Sequence, residues 1–304
     1  MSKNKNITGL VSIGIPAYKA TYLYETIESA LSQNYKNIEL IIVDDCSPYH
    51  LERIVNKFND SRIRYYKNEE NLGKISIVHN WNKCLSFANG EFFVLLCDDD
   101  ILLPNFVSGL LNLAYKYPFC NVFHARKINM QKDFSKTESP IWPEYEDAES
   151  FLRNRLAKKR HHTITEFLYR TAAIQEKKYV VFPRGFYSDN ASIISFSQNG
   201  GIASSKDCLV IFRYSEEHIT TNSSLENCIG KIKDAIAYWK WIQQFVIAKE
   251  YKQQINEEVE CTIYYSFKHL SFLAKITTFI RVVTLNFISL KFKLALLLET
   301  FEKY

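Results

Sequence analysis

The chain has 304 residues, which against about 150 per domain allows two domains or one large one. Hydrophobic residues make up 47% and charged residues 23%, so wholesale disorder is excluded, and the high aromatic share of 14% favours a well-filled core. The net charge of +5 is too modest to argue for a nucleic-acid partner. Much of the excess sits in residues 262–304, where six Lys/Arg face two acids. The seven cysteines form no CxxC pair and no Cys/His cluster at zinc spacing, which predicts a reduced compartment without a disulfide framework. The segment MSKNKNITGLVSIGIP has no signal-peptide apolar region, and no run of about 18 apolar residues is free of charge. A cytoplasmic chain is expected.

Elements follow in order. LVSIGI (10–15) is a β-rich run that ends at Pro16. Residues 21–34 place Leu23, Ile27, Ala30 and Leu31 at helical spacing. IELIIV (38–43) is an apolar run apart from Glu39, as in a strand buried on both faces. Ser47 and Pro48 open a helix with Leu51, Ile54, Val55 and Phe58 on one side. IRYY (63–66) is a short strand, 75–88 a helix, FFVLL (92–96) a second buried strand and 104–117 a helix. This alternation predicts an α/β fold with a mostly parallel sheet, in which ligands bind at the carboxyl ends of the strands. Residues 131–150 are expected to form a linker or long loop. The acid-rich 138–150 and base-rich 151–162 are expected to be solvated surface. Another strand is expected at 208–214, and the chain is helical in pattern from about 225.

The strand ends carry the chemistry. Asp44-Asp45-Cys46-Ser47 follows the second strand, and Cys97-Asp98-Asp99-Asp100 follows the fourth. Helix capping accounts for one acid well and for a run of three poorly. Packed carboxylates raise one another's pKa unless a cation or donor compensates. A divalent cation, Mn²⁺ or Mg²⁺, held by few carboxylates and completed by phosphate oxygens and water meets that need. Such an ion neutralises charge on a departing diphosphate. Asp45 is suited to accept from an imide N–H or a hydroxyl, hence from a nucleoside. No P-loop and no GxGxxG motif is present.

PAYKATYLYETIESALSQNYKNIELIIVDDCS and NEENLGKISIVHNWNKCLSFANGEFFVLLCDDDILLP resemble the two conserved blocks of inverting family 2 glycosyltransferases of the GT-A fold, over residues 9–125. The resemblance implies a nucleotide-sugar-binding half (1–130), an acceptor-binding half (131–224) and a helical C-terminal region (225–304). It implies that Pro16, Ala17 and Tyr18 contact the nucleoside and that Asp45 hydrogen-bonds the base. Asn71, Gly73 and Lys74 belong to a loop closing on the nucleotide, with Lys74 a phosphate contact. The strand-end acids stand for the DxD element: Asp99 as metal ligand with Asp100 beside it, and Asp98 on the ribose. Cys97 stands where the first acid is usual. An inverting enzyme also needs a base, which the family places in its second half, and Asp189 in RGFYSDNASIISF is the candidate.

Lesser candidates are His161 and His162 toward an acceptor phosphate, His218 toward the metal or diphosphate, and Glu176, Glu216 and Glu217 as alternative bases. Residues 262–298 hold five bases and no acid among dense Phe, Leu, Ile and Val. They are either a helical subdomain packed on the core or a segment making peripheral contact with anionic lipid at the inner membrane face. The expected reaction is transfer from a nucleotide diphosphate sugar, a UDP-sugar foremost, to a hydroxyl of a glycan or lipid-linked glycan on the bacterial surface. The alternatives are a nucleotidyltransferase, or a non-catalytic nucleotide-sugar or glycan-binding protein on the same fold, which Cys97 favours. Release of UDP with and without chelator separates them.

Overall fold

The computed structural model describes residues 6–214 and 223–301. Four parallel strands form the first half of the sheet: β1 (Ile7–Ala17), β2 (Ile38–Asp44), β3 (Ile63–Lys67) and β4 (Gly90–Leu95), in the order β3-β2-β1-β4. The crossovers are α1 (Leu23–Leu31), the short α2 (Glu52–Val55) and α3 (Ile77–Ser86), the last preceded by a 3-10 turn at Leu72–Lys74. The helix opened by Ser47 and Pro48 thus shrinks to one turn.

Every residue of β2 is buried. Ile38, Leu40 and Ile42 join one core with α1, while Ile41 and Val43 join another with α3. This is the strand covered on both faces that its apolar run implies. On β1 the second face is instead small, because α3 lies close: a Cβ on Gly14 would sit 2.9 Å from Cys84 Cβ and from the Phe93 ring.

The chain continues through β5 (Ile101–Leu102), α4 (Phe106–Lys116), β6 (Val122–Met130), β7 (Lys136–Glu138), β8 (Tyr145–Glu146), α5 (Ala148–Leu156), β9 (Phe167–Arg170), α6 (Thr171–Lys177), α7 (Ser188–Ser197) and β10 (Ile202–Arg213). β6 and β10 make a long parallel ladder, and the short strands β5, β7, β8 and β9 join antiparallel. β9 pairs with both β4 and β6, so one sheet runs through the chain without interruption at residue 130. The long-loop expectation for 131–150 is corrected accordingly. β7 and β8 are stitched onto this sheet and Trp142 is buried, its ring stacked on His124. Nor are 138–162 all solvated: Arg160 pairs with Glu146 and Arg155 with Glu258, all four groups at least largely enclosed. Paired opposite charges can be buried where single ones cannot.

The remaining helices are α8 (Leu225–Ile242), α9 (Lys252–Lys268), α10 (Phe272–Val283) and α11 (Leu290–Phe301). They extend the core on the α3 side, through Ile232, Tyr238, Val259 and Phe267. Among the described residues no helix is long and apolar enough to cross a membrane.

Candidate active site

The carboxyl ends of β1, β2 and β4 open into a cleft of about 1140 Å³. The 184–190 segment, which meets the 71–77 segment through Arg184 and Lys74, and residues of α8 and α9 also line it. Pro16, Tyr18, Asp45, Asn71, Gly73, Lys74, Asp98, Asp99, Asp100 and Asp189 all line it. Ala17 does not: consecutive strand residues alternate in direction, and its methyl is fully buried in the α1 core.

Asp45 is 4% exposed and organises the 71–74 loop. Its Oδ1 accepts from Asn68 Nδ2 (2.8 Å) and Leu72 N (2.9 Å), and its Oδ2 accepts from Gly73 N (2.8 Å). The lack of a side chain at Gly73 eases that approach, since a Cβ there would lie 3.1 Å from Asp45 Oδ2 and 3.2 Å from Asn71 Oδ1. Asn71 Oδ1 in turn accepts from Lys74 N (2.9 Å), leaving the Lys74 side chain exposed at the rim. Two exposed rings flank this end of the cleft, Tyr18 and Tyr49; sequence reasoning passed over Tyr49, which has no motif to mark it.

The three acids after β4 point to three different tasks. Asp98 Oδ2 accepts from the backbone N–H groups of Tyr18 (2.8 Å) and Lys19 (2.7 Å), tying the turn after β1 to the turn after β4. Lys19 Nζ lies 3.1 Å from Asp98 Oδ1 and also donates to Asp99 Oδ2, so two carboxylates converge on one cation. Asp100 is fully buried and differs from the metal-ligand expectation. Its Oδ2 accepts from Thr165 Oγ1 (2.7 Å) and its Oδ1 from Arg213 N (3.3 Å). Burial and the Asp99 charge push its pKa up to about 7. It shapes the acidic turn from beneath. Arg213 also donates from Nε to the Asp99 carbonyl (3.1 Å), while its guanidinium covers the Tyr22 ring at 3.9 Å. Burial pushes the Cys97 thiol well above its ordinary range, so it stays neutral and does not replace a carboxylate.

Asp189 opens α7 behind a strained turn. Gly185 has φ +97° and Tyr187 φ +66°. Asp234 on α8 holds the turn by accepting from Arg184 N (3.0 Å) and Phe186 N (2.8 Å). A positive φ in a bulky residue persists only where its surroundings enforce it. Burial raises the Asp189 pKa above the usual carboxylate range, against the opposing pull of Arg155, whose Nε donates to Asn190 Oδ1 (2.7 Å). Asp234 was not visible as a candidate, because it reads as an ordinary polar residue of a long helix.

The weaker candidates lie elsewhere. His161 is exposed, and His162 packs among Trp142, Phe151 and Phe167 with burial lowering its pKa, so it is a neutral ring. Glu176 is exposed on α6 and does not line the cleft. Glu216, Glu217 and His218 lie outside the described residues.

Comparison with known proteins decides the family. The model of glycosyl transferase family 2 matches residues 12–180, more than half of the chain. The chain belongs to this family. Residues 12–180 span the turn after β1, Asp45 and the acidic turn after β4. It is similar to the Escherichia coli UDP-Glc:alpha-D-GlcNAc-diphosphoundecaprenol beta-1,3-glucosyltransferase WfaP, with 41% identity over 104 residues, 34% of this chain and 40% of that enzyme. The chain spans less than half the length of the curated relatives it matches. In fold it is similar to Staphylococcus aureus TarS 1–349 in complex with UDP-GlcNAc (TM-score 0.58, 14% identity, 88% of this chain and 83% of that one). It is also similar to the mannosyltransferase PcManGT from Pyrobaculum calidifontis in complex with GDP-Man and Mn²⁺ (TM-score 0.57, 12% identity, 96% and 86%). The likeness to these structures is one of fold, and residues of the C-terminal helices α8 and α9 line the cleft.

Proposed function

We propose that this glycosyltransferase moves a sugar from a UDP-sugar to a hydroxyl of a lipid-linked or growing bacterial surface glycan, with inversion, at the cytoplasmic face of the membrane. The observation that carries the reading is one cleft lined together by Asp45, by Asp98 and Asp99 after β4, and by Asp189 of α7. The UDP-GlcNAc in TarS and the diphosphoundecaprenol named for WfaP support the donor and acceptor classes. In this reading residues 1–130 bind the donor, 131–224 receive the acceptor and 225–304 close the wall.

The nucleoside lies against Pro16 and the Tyr18 and Tyr49 rings, with remaining lone pairs of Asp45 facing the base. Asn71, Gly73 and Lys74 cover the diphosphate. The donor set fits Mn²⁺ or Mg²⁺, because the Asp98 and Asp99 carboxylates already converge on a single cationic centre, the Lys19 ammonium. Asp99, with Asp98 beside it, would hold the ion, which when bound neutralises charge gathering on the leaving diphosphate. Asp189 takes the proton of the acceptor hydroxyl as its oxygen attacks the anomeric carbon from the side away from the diphosphate. The C–O bond to the acceptor forms, the bond to UDP breaks, and the proton ends on Asp189. A raised carboxylate pKa suits a base that must hold a proton transiently.

Incubation with UDP-glucose, UDP-GlcNAc and GDP-mannose, with Mn²⁺ or chelator, tests this. Mn²⁺-dependent release of UDP that rises with a diphosphoundecaprenol-linked acceptor is expected. Release from GDP-mannose alone, or release indifferent to chelator, would overturn the donor or the metal assignment respectively.

A further inference from the structure

The α10–α11 hairpin packs Val282, Phe287, Ile288 and Leu296 on the core, yet it also buries an ion pair and leaves leucines outside. Lys275 Nζ donates to the Glu299 carbonyl and to its Oε1, both at 3.0 Å, so the two helices run antiparallel with their ion pair inside. Lys275 is 6% exposed and Glu299 9%. The solvent side holds the leucines instead: Leu273 is 72% exposed, Leu290 74%, Leu294 53% and Leu298 71%.

On α11 the outward positions are Leu290, Lys291, Leu294, Leu297 and Leu298, a single helical stripe. On α10 they are Leu273, Thr277, Ile280 and Arg281. A soluble hairpin has no reason to bury an ion pair and expose a leucine stripe, since each choice costs free energy in water. Among the described residues the exposed charges of the hairpin, Arg281 and Lys291, are both basic, and Lys268 at the end of α9 adds a third exposed base. The nearest acid to the connecting turn, Glu260, accepts from Ser289 N (2.8 Å).

We infer that the α10–α11 hairpin is a docking surface for an anionic lipid leaflet, its leucine stripe entering the acyl boundary and Arg281, Lys291 and Lys268 meeting headgroup phosphates. A second copy of the chain is disfavoured, because a two-fold contact on this face would bring the same bases against themselves. The position suits the proposed lipid-linked acceptor, on which the purpose of the surface, though not its existence, rests. Tyr265 and His269, in and just beyond the last turn of α9, line the cleft, and α10 begins at Phe272.

The test is flotation of the full chain with phosphatidylcholine vesicles and with vesicles containing about a third phosphatidylglycerol. Binding at least tenfold tighter to the anionic vesicles, weakened by salt, is expected. Leu294→Glu with Leu298→Glu should lower it more than tenfold, and Arg281→Gln with Lys291→Gln should cost about fivefold per base on anionic vesicles only. These residues face solvent, so UDP-induced thermal stabilisation should be unchanged in all variants; that readout tests the donor reading separately. Equal, negligible binding to both vesicle types overturns the inference. So does a dimer in sedimentation equilibrium that the leucine substitutions dissolve, which would make the face a contact between copies.

Discussion

At the level of single residues, the acidic turn divides its labour by where each carboxylate's oxygens are already engaged. Asp98 gives Oδ2 to backbone N–H groups and Oδ1 to the Lys19 ammonium, Asp100 is taken up by Thr165 and Arg213 N, and Asp99 meets the same ammonium above the Arg213-held backbone. Asp99→Asn should therefore cut turnover by several orders of magnitude, roughly 3–4 kcal/mol in the barrier, with an almost unchanged melting temperature. Retention of more than a tenth of the activity would remove Asp99 from the metal role. Lys19 is a resident counter-cation, its pKa held high by the two acids against the effect of burial. A divalent ion has to displace it, so Lys19→Met should tighten Mn²⁺ binding about tenfold in an electron paramagnetic resonance titration, about 1.4 kcal/mol. Unchanged affinity would mean that Lys19 and the ion occupy separate places. Asp189→Asn should keep UDP-sugar affinity and lose ~10²–10⁴-fold in transfer. A residue that merely capped α7 would instead cost about 1 kcal/mol of stability and leave turnover intact.

At the level of elements, the turn into α7 is held from two sides, by Asp234 of α8 and by Ile77 of α3. A Cβ on Gly185 would sit 2.6 Å from Ile77 Cγ1, and the backbone there has φ +97°. Gly185→Ala thus meets a clash and a conformational penalty together, for which about 1–3 kcal/mol is expected from the backbone alone. Adding Ile77→Ala removes the clash but not the backbone cost. The double variant should accordingly recover part of the thermal stability and not all of it. Full recovery would show that the left-handed backbone carries no strain.

At the level of the whole molecule, β9 and the turn before it bind the two halves of the sheet through a buried polar cluster. Glu166 Oε1 accepts from Lys127 Nζ (2.8 Å), and its Oε2 pairs with His124 Nε2 at 3.2 Å. Burial alone would raise its pKa, but the Lys127 charge and the His124 contact overcome that and hold it at about 2. The folded value lies below the unfolded one, so this stabilisation is present above the ordinary glutamate pKa and is lost as pH falls from about 4.5 toward 2. The loss is roughly 3 kcal/mol for a shift of this size. Melting temperatures measured from pH 6 to pH 3 should fall more steeply for the native chain than for Glu166→Gln. Parallel curves would place the acid sensitivity elsewhere.

The first half of the chain was legible because its signals are local. The apolar run 40–43, with only Glu39 interrupting it upstream, has the pattern of a strand covered on both faces, and acids directly behind two such strands lie at one edge of the sheet. Those facts hold whatever the rest of the chain does. The second half resisted because its order depends on partners far away in sequence. VFHARKINM (122–130) carries His, Arg and Lys, which give no apolar run, yet it becomes β6 because Glu166 and Ser139 receive those side chains and β9 and β10 flank it. Lys268, Lys275 and Lys293 fall on one stripe of an ideal helix. Only the break into α9, α10 and α11 turned Lys275 inward against Glu299 and left Leu290, Leu294 and Leu298 in water. Periodicity states which residues share a face, but which face meets the core is decided by the free energy of the whole packing.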